Sequence, residues 1–146
     1  MSENMENKKE ITAEEKAKEE LERLKKEMDP DEQIRKYSRG MLLLQEPIQS
    51  GELTVSELKW DFLALTGAEY ADALDMDARS RDAFRISSTQ GLCLFAAAAA
   101  KVTAGVDAED IRRRLSSRDT TIAVRLSTVF FNATFRAGNK RISKER

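Results

Sequence analysis

Three carboxylates, Asp75, Asp77 and Asp82, are spaced like ligands of a calcium loop. Such a loop needs oxygen donors at alternate positions and a glycine at the sixth, where the chain turns sharply. Arg79 stands at the fifth position and Ser80 at the sixth, so the metal reading fails and Asp–Arg pairing in a surface turn takes its place. Glu69 and Asp72 form another acid pair suited to proton transfer, but scattered carboxylates are ordinary in a chain that is 35% charged. Cys93 is the one cysteine, set in an apolar helical run with no neighbour that would lower its pKa, so it reads as a small buried hydrophobe. It has no intrachain disulfide partner, which fits a reducing compartment. There are no histidines, which removes Ser-His-Asp and Cys-His catalysis and most zinc sites. A Gly-rich phosphate loop, a Cys-x-x-Cys pair and a nucleophile elbow are also missing. The expectation is a binding protein rather than an enzyme, with no cofactor and no metal. The triplet Arg112, Arg113, Arg114 and the basic residues 139–146 are the segments suited to phosphate contact. Nearby acids and a net charge of -1 argue against a nucleic-acid partner.

The elements that position these residues are mostly helical. Residues 1–10 are polar and expected to be unstructured. Thr12 and Glu15 have capping-box spacing and predict a helix from there to about Met28. Ala17, Leu21, Leu24 and Met28 make one narrow stripe on this charged rod, either lightly docked on the body or pairing with a partner or a second copy. Glu14–Lys18 and Glu22–Lys26 are favourable i,i+4 pairs. Asp29-Pro30-Asp31 stops the rod, and Pro30 can begin a short turn through Ile34 and Tyr37, so residues 11–38 read as a charged helical arm.

Further on, 68–74 is a short amphipathic helix. Ser87 or Ser88 caps a helix from Thr89 to about Ala104, with Gly105 as its stop. Leu92, Cys93, Leu94, Phe95 and the alanines 96–100 make it apolar nearly all round, so it must be buried on most faces. Its apolar run, 91–100, is about half of the ~20 residues a membrane span needs, and no membrane partner is expected. The opening MSENMENKKE has no apolar signal core. Asp107 caps a helix that points Ile111 and Leu115 inward and the three arginines outward. The last helix is expected over Asp119–Ala137, closed by Gly138, with Ile122, Leu126, Val129, Phe130 and Ala133 as its core stripe. Val124, Phe131 and Phe135 add apolar positions on another side. Residues 51–82 carry eight acids and three bases (-5), whereas 105–146 carry five acids and ten bases (+5). The two halves either cover each other or form docking surfaces of opposite sign.

The stretch from Leu42 to Gly67 is a hairpin feeding into helix. Met41–Leu44 is the first run; Pro47, Ser50 and Gly51 punctuate it, since Pro fixes φ and Gly accepts φ > 0. Leu53–Trp60 alternates like a strand, and Asp61 opens a short helical turn closed by Gly67. From Leu44-x-x-Pro47-Ile48-x-x-Gly51, Glu57-Leu58-x-x-Asp61-Phe62-x-x-Leu65-Thr66-Gly67, Asp82-Ala83-Phe84-Arg85 and the ending Arg136-Ala137-Gly138-Asn139-Lys140, the chain resembles the tail assembly chaperones of long-tailed phages and prophages. The expected fold is mainly α: a compact bundle of four or five helices over 39–138 with a small N-terminal β-hairpin, preceded by a charged helix.

The resemblance implies a virus-encoded, non-enzymatic protein of the host cytoplasm, absent from the finished virion. Such a protein binds the tape-measure protein, keeps it soluble and brings tail-tube subunits to it. A tape-measure chain is long, helical and apolar, so its chaperone needs an apolar groove or ridge with charge around it. Phe131 and Phe135 on the last helix, Leu21 and Leu24 on the first, and Arg112 and Arg113 are the candidate partner-binding residues. The two phenylalanines and two leucines equally suit a core role. A structural tail component such as a completion protein, or a small nucleic-acid-binding module, are the alternative functions.

Overall fold

The computed structural model describes residues 2–76 and 85–142, with side chains from Thr12 on and excluding 26–28. The described elements run in the order α1 (Ser2–Met28), α2 (Pro30–Tyr37), β1 (Arg39–Ser50), β2 (Leu53–Asp61), α3 (Gly67–Asp75), α4 (Ser88–Val102), α5 (Ala108–Arg114) and α6 (Ser117–Asn139). A single 3-10 turn at Phe62–Ala64 joins β2 to α3. The protein is mostly α, but the expected fold class needs correction. Six helices are described rather than four or five, and the hairpin is not N-terminal: it follows α1 and α2. Asp29 and Pro30 are the reason. Asp29 accepts from the Glu32 amide as an N-cap and Pro30 fills the first helical position, so the chain starts a second helix. That helix packs on α6. Asp29 faces Lys140 at 3.7 Å and Gln33 hydrogen-bonds Arg136, so α2 and α6 run antiparallel.

Other boundaries also move. The first helix opens at Ser2, so residues 2–10 are helical and Thr12 lies within the helix instead of capping it. Gly67 begins α3 instead of ending the preceding turn, because Thr66 and Glu69 form a reciprocal capping box there. A second capping box, Ser87 with Gln90, opens α4. Asp107 caps α5 and Ser116 caps α6. Most of the acidic loop and of the Asp82-Ala83-Phe84-Arg85 motif lies outside the described residues.

The two antiparallel strands pair from Arg39↔Asp61 to Leu43↔Glu57 and again from Ile48↔Val55 to Ser50↔Leu53. Between these blocks β1 carries extra residues, and Pro47 sits in this bulge, where no ladder amide is required. Gly51 turns the hairpin with φ 62. A two-stranded sheet has two open edges, and here side chains occupy both. On β2, the Thr103 hydroxyl accepts from the Lys59 amide and donates to the Lys59 carbonyl. On β1, the bulge amides of Gln45 and Glu46 donate to the Asp119 carboxylate at 2.9 and 3.4 Å. Asp119 is 1% exposed and also accepts from the Ser116 hydroxyl, so this buried charge is fully engaged.

The core centres on α4, which packs against α3, α5, α6, β2 and the 3-10 turn. Leu94, Phe95, Ala98 and Ala99 are fully buried. Trp60 lies 5.8 Å from Phe95 between ring centroids, and Phe62 stacks on Phe130 at 4.6 Å. The α4–α6 crossing relies on small residues. A Cβ on Gly91 would meet a Val124 methyl at 3.2 Å, and the buried Ser127 hydroxyl donates to the Gly91 carbonyl at 2.7 Å. The core face of α6 is therefore Asp119, Ala123, Ser127, Phe130 and Ala133. Ile122, expected inside, is 44% exposed. Among the described residues no helix is long and apolar enough to cross a membrane.

Candidate functional site

The alanines of α4 are not all consumed by the core. Ala98 and Ala99 face inward, but Ala97 and Ala100 are only partly buried. They form, with Ala73, Cys93, Ala96 and Ala108, the floor of an open furrow of about 450 Å³. Its walls are α3 and α5, which pack on either side of α4. No large side chain rises from the floor, so a partner backbone can come close. Met76 supplies a flexible apolar rim at one end.

Charge lines both walls. Glu69 and Asp72 come from α3, Lys101 from the end of α4, and Glu109 and Arg112 from α5. Lys101 Nζ donates to both oxygens of Glu69, at 2.8 and 3.0 Å, tying α3 to α4 across the furrow mouth. The Lys101 ammonium, with the Thr66 amide behind it, holds the Glu69 carboxyl down at about 2. Glu109 is likewise lowered, by Arg112 first and Arg113 second, and it holds the Arg112 guanidinium above its ordinary range. Glu69, Glu109 and Arg112 are thus held in their charged forms at the furrow margin. Among the described residues no cluster of three or more His, Cys, Asp or Glu side chains is arranged to hold a metal ion.

Of the residues expected to bind a partner, only Arg112 lines this furrow. Arg113 points outward and pairs with Glu109 at 2.7 Å. Arg114 lies 3.8 Å from Asp110, so each arginine of the triplet has a carboxylate of its own helix beside it. That leaves little uncompensated positive charge for phosphate. On α6, Phe131 is half-buried and Phe135 is 39% exposed. On α1, Leu21 and Leu24 are 55% and 44% exposed. The structure therefore distributes the six candidates over α1, α5 and α6 rather than bringing them together.

Sequence reasoning missed Glu69, Lys101 and Met76 as neighbours of one surface. The available signal was the length of the alanine run: five consecutive alanines exceed what one buried stripe uses, so some must face elsewhere. A second recess, of about 480 Å³, lies between α2 and α6 and is lined by Tyr37, Ile122, Leu126 and Val129 with Lys36 and Arg125 at its edge. It accounts for the exposure of Ile122. No protein-family model, curated protein or solved structure matches the chain.

Proposed function

We infer that the protein is a non-enzymatic tail assembly chaperone, which holds helical segments of a tape-measure protein and keeps them soluble in the host cytoplasm until tail-tube subunits join. The observation that carries this reading is the alanine-floored furrow between α3 and α5. An amphipathic helix laid in a groove needs a close-approach floor, apolar contact along it and polar groups at the margins to fix its orientation. Ala97 and Ala100 supply the first two, and Glu69, Lys101 and Arg112 the third. The motif resemblance supports the same reading from the sequence side. The pairing of Arg112, Arg113 and Arg114 with Glu109 and Asp110 disfavours a nucleic-acid-binding role.

Co-expression tests this function. Tape-measure protein encoded beside this chain is expected in the soluble fraction only when this chain is present, and the two are expected to co-purify. Equal solubility with and without it contradicts the proposal. Presence of the protein in purified virions would instead place it among structural tail components.

A further inference from the structure

The arm α1 has a surface that the body does not use. Every described side chain from Thr12 to Lys25 is exposed, and the helix finds its main neighbour in α2 rather than in the core. Yet it carries Leu21 and Leu24, 55% and 44% exposed, one turn apart on one face, with Ala17 on the turn before. An unpaired helix of this kind is marginal in water, because its stability comes chiefly from packing an apolar face.

The charges beside the stripe say what packs there. With Leu21 and Leu24 as the a and d positions of a heptad, Ala17 is the preceding d and Glu14 the preceding a, so the apolar seam begins at Ala17. Lys18 and Lys25 then occupy e positions, and Glu20 the g position. In a parallel, in-register pair, g of one helix meets e of the next heptad on the other. Glu20 therefore faces Lys25 of the second copy, twice by symmetry. In an antiparallel pair e meets e, which sets Lys18 against Lys25 of the second copy. Among the described residues Glu20 is engaged by a 3.7 Å contact with Arg23, and both side chains are about two-thirds exposed, so this contact yields easily.

We propose that α1 is a homodimerisation arm, pairing in parallel with α1 of a second copy of this chain through Ala17, Leu21 and Leu24 and setting its direction by Glu20–Lys25 pairs. The short seam makes the association weak and concentration-dependent, and it leaves the α3–α5 furrow of each copy open. The proposal does not depend on the chaperone reading.

Sedimentation equilibrium of the full chain over a wide concentration range tests it. A reversible monomer–dimer equilibrium is expected, abolished by the double substitution Leu21→Glu, Leu24→Glu, with the body's circular dichroism unchanged. Lys25→Glu should weaken the dimer about fivefold by placing Glu opposite Glu20, and adding Glu20→Lys should restore it. An antiparallel dimer would respond oppositely, since Lys25→Glu would then relieve the Lys18–Lys25 repulsion. Direction is read independently by oxidation in a Cys93→Ala background. Leu21→Cys should cross-link to itself in the parallel arrangement, whereas preferential cross-linking of Leu21→Cys to Leu24→Cys marks the antiparallel one. A monomer at all concentrations or an antiparallel dimer would each overturn the proposal.

Discussion

Two helices of this protein, α1 and α4, differ in nearly every respect. The first spans 27 residues and exposes every described side chain from Thr12 to Lys25. The second spans 15 and buries eight of them. Among the arm's described side chains the ion pair is Arg23–Glu20 at 3.7 Å, exposed and worth at most a few tenths of a kcal/mol. α4 is fixed by contacts with four other helices or strands and the 3-10 turn. Stability therefore resides around α4, while α1 is free to serve interactions between molecules. The furrow lies where these two situations meet: it uses the face of the central helix that folding leaves partly open.

The sharpest way to break this contrast is to remove a core side chain from α4. Phe95→Ala deletes a fully buried ring packed 5.8 Å from Trp60, and should cost about 4 kcal/mol in denaturant unfolding. Asp119→Ala comes next, at about 3 kcal/mol, because it orphans the bulge amides of Gln45 and Glu46 and the Ser116 hydroxyl. Its effect should appear as loss of amide-exchange protection at 45 and 46 before the rest of the hairpin. Removing residues 1–28 should change the stability of the body by less than about 1 kcal/mol, since the arm's described side chains, Thr12 to Lys25, are all exposed. A large loss on that truncation would show that the arm belongs to the core.

The smallest expected effect concerns pH. The folded-state pKa of Glu69 is lowered from 4.5 to about 2 by Lys101 and the Thr66 amide. A depressed carboxylate stabilises the fold fully above its unfolded pKa, and that contribution fades as pH falls from about 4.5 through about 2. Glu69→Gln keeps an acceptor for the Thr66 amide but removes the charge facing Lys101. The melting temperatures of wild type and variant should therefore differ slightly at pH 7 and converge by about pH 2. A constant gap across that range would mean that the Lys101 pairing adds nothing.

The hairpin was legible because its signals are local. Gly51 turns the chain, and Leu53–Trp60 alternates between faces. The bulge was not, since its extra residues are held by Asp119, more than seventy positions away. The cap at Asp107 was readable for the same local reason, whereas Gly67 was misplaced because a terminal glycine and a first-turn glycine look alike until Thr66 and Glu69 are seen bonding across it. Ile122 was expected in the core from the helical spacing of the apolar stripe Ile122, Leu126, Val129, Phe130 and Ala133. The α4–α6 contact instead selects size: Gly91, Ala123 and Ser127 let the helices approach, and this turns α6 so that Ile122 faces outward. The furrow is a tertiary product of three helices, floored by α4 and walled by α3 and α5, and only the excess of alanines in α4 hinted at it.

The central claim is that this furrow holds a partner helix, and filling it tests that claim most directly. Ala97 and Ala100 are partly buried on the floor rather than in the core, so Ala97→Glu with Ala100→Glu should leave the circular dichroism spectrum and melting temperature close to wild type. The measurement is the soluble fraction of tape-measure protein co-expressed with this variant. The account predicts that the soluble fraction falls to the level seen without this chain and that co-purification is lost. Full retention of both by a folded variant would contradict it.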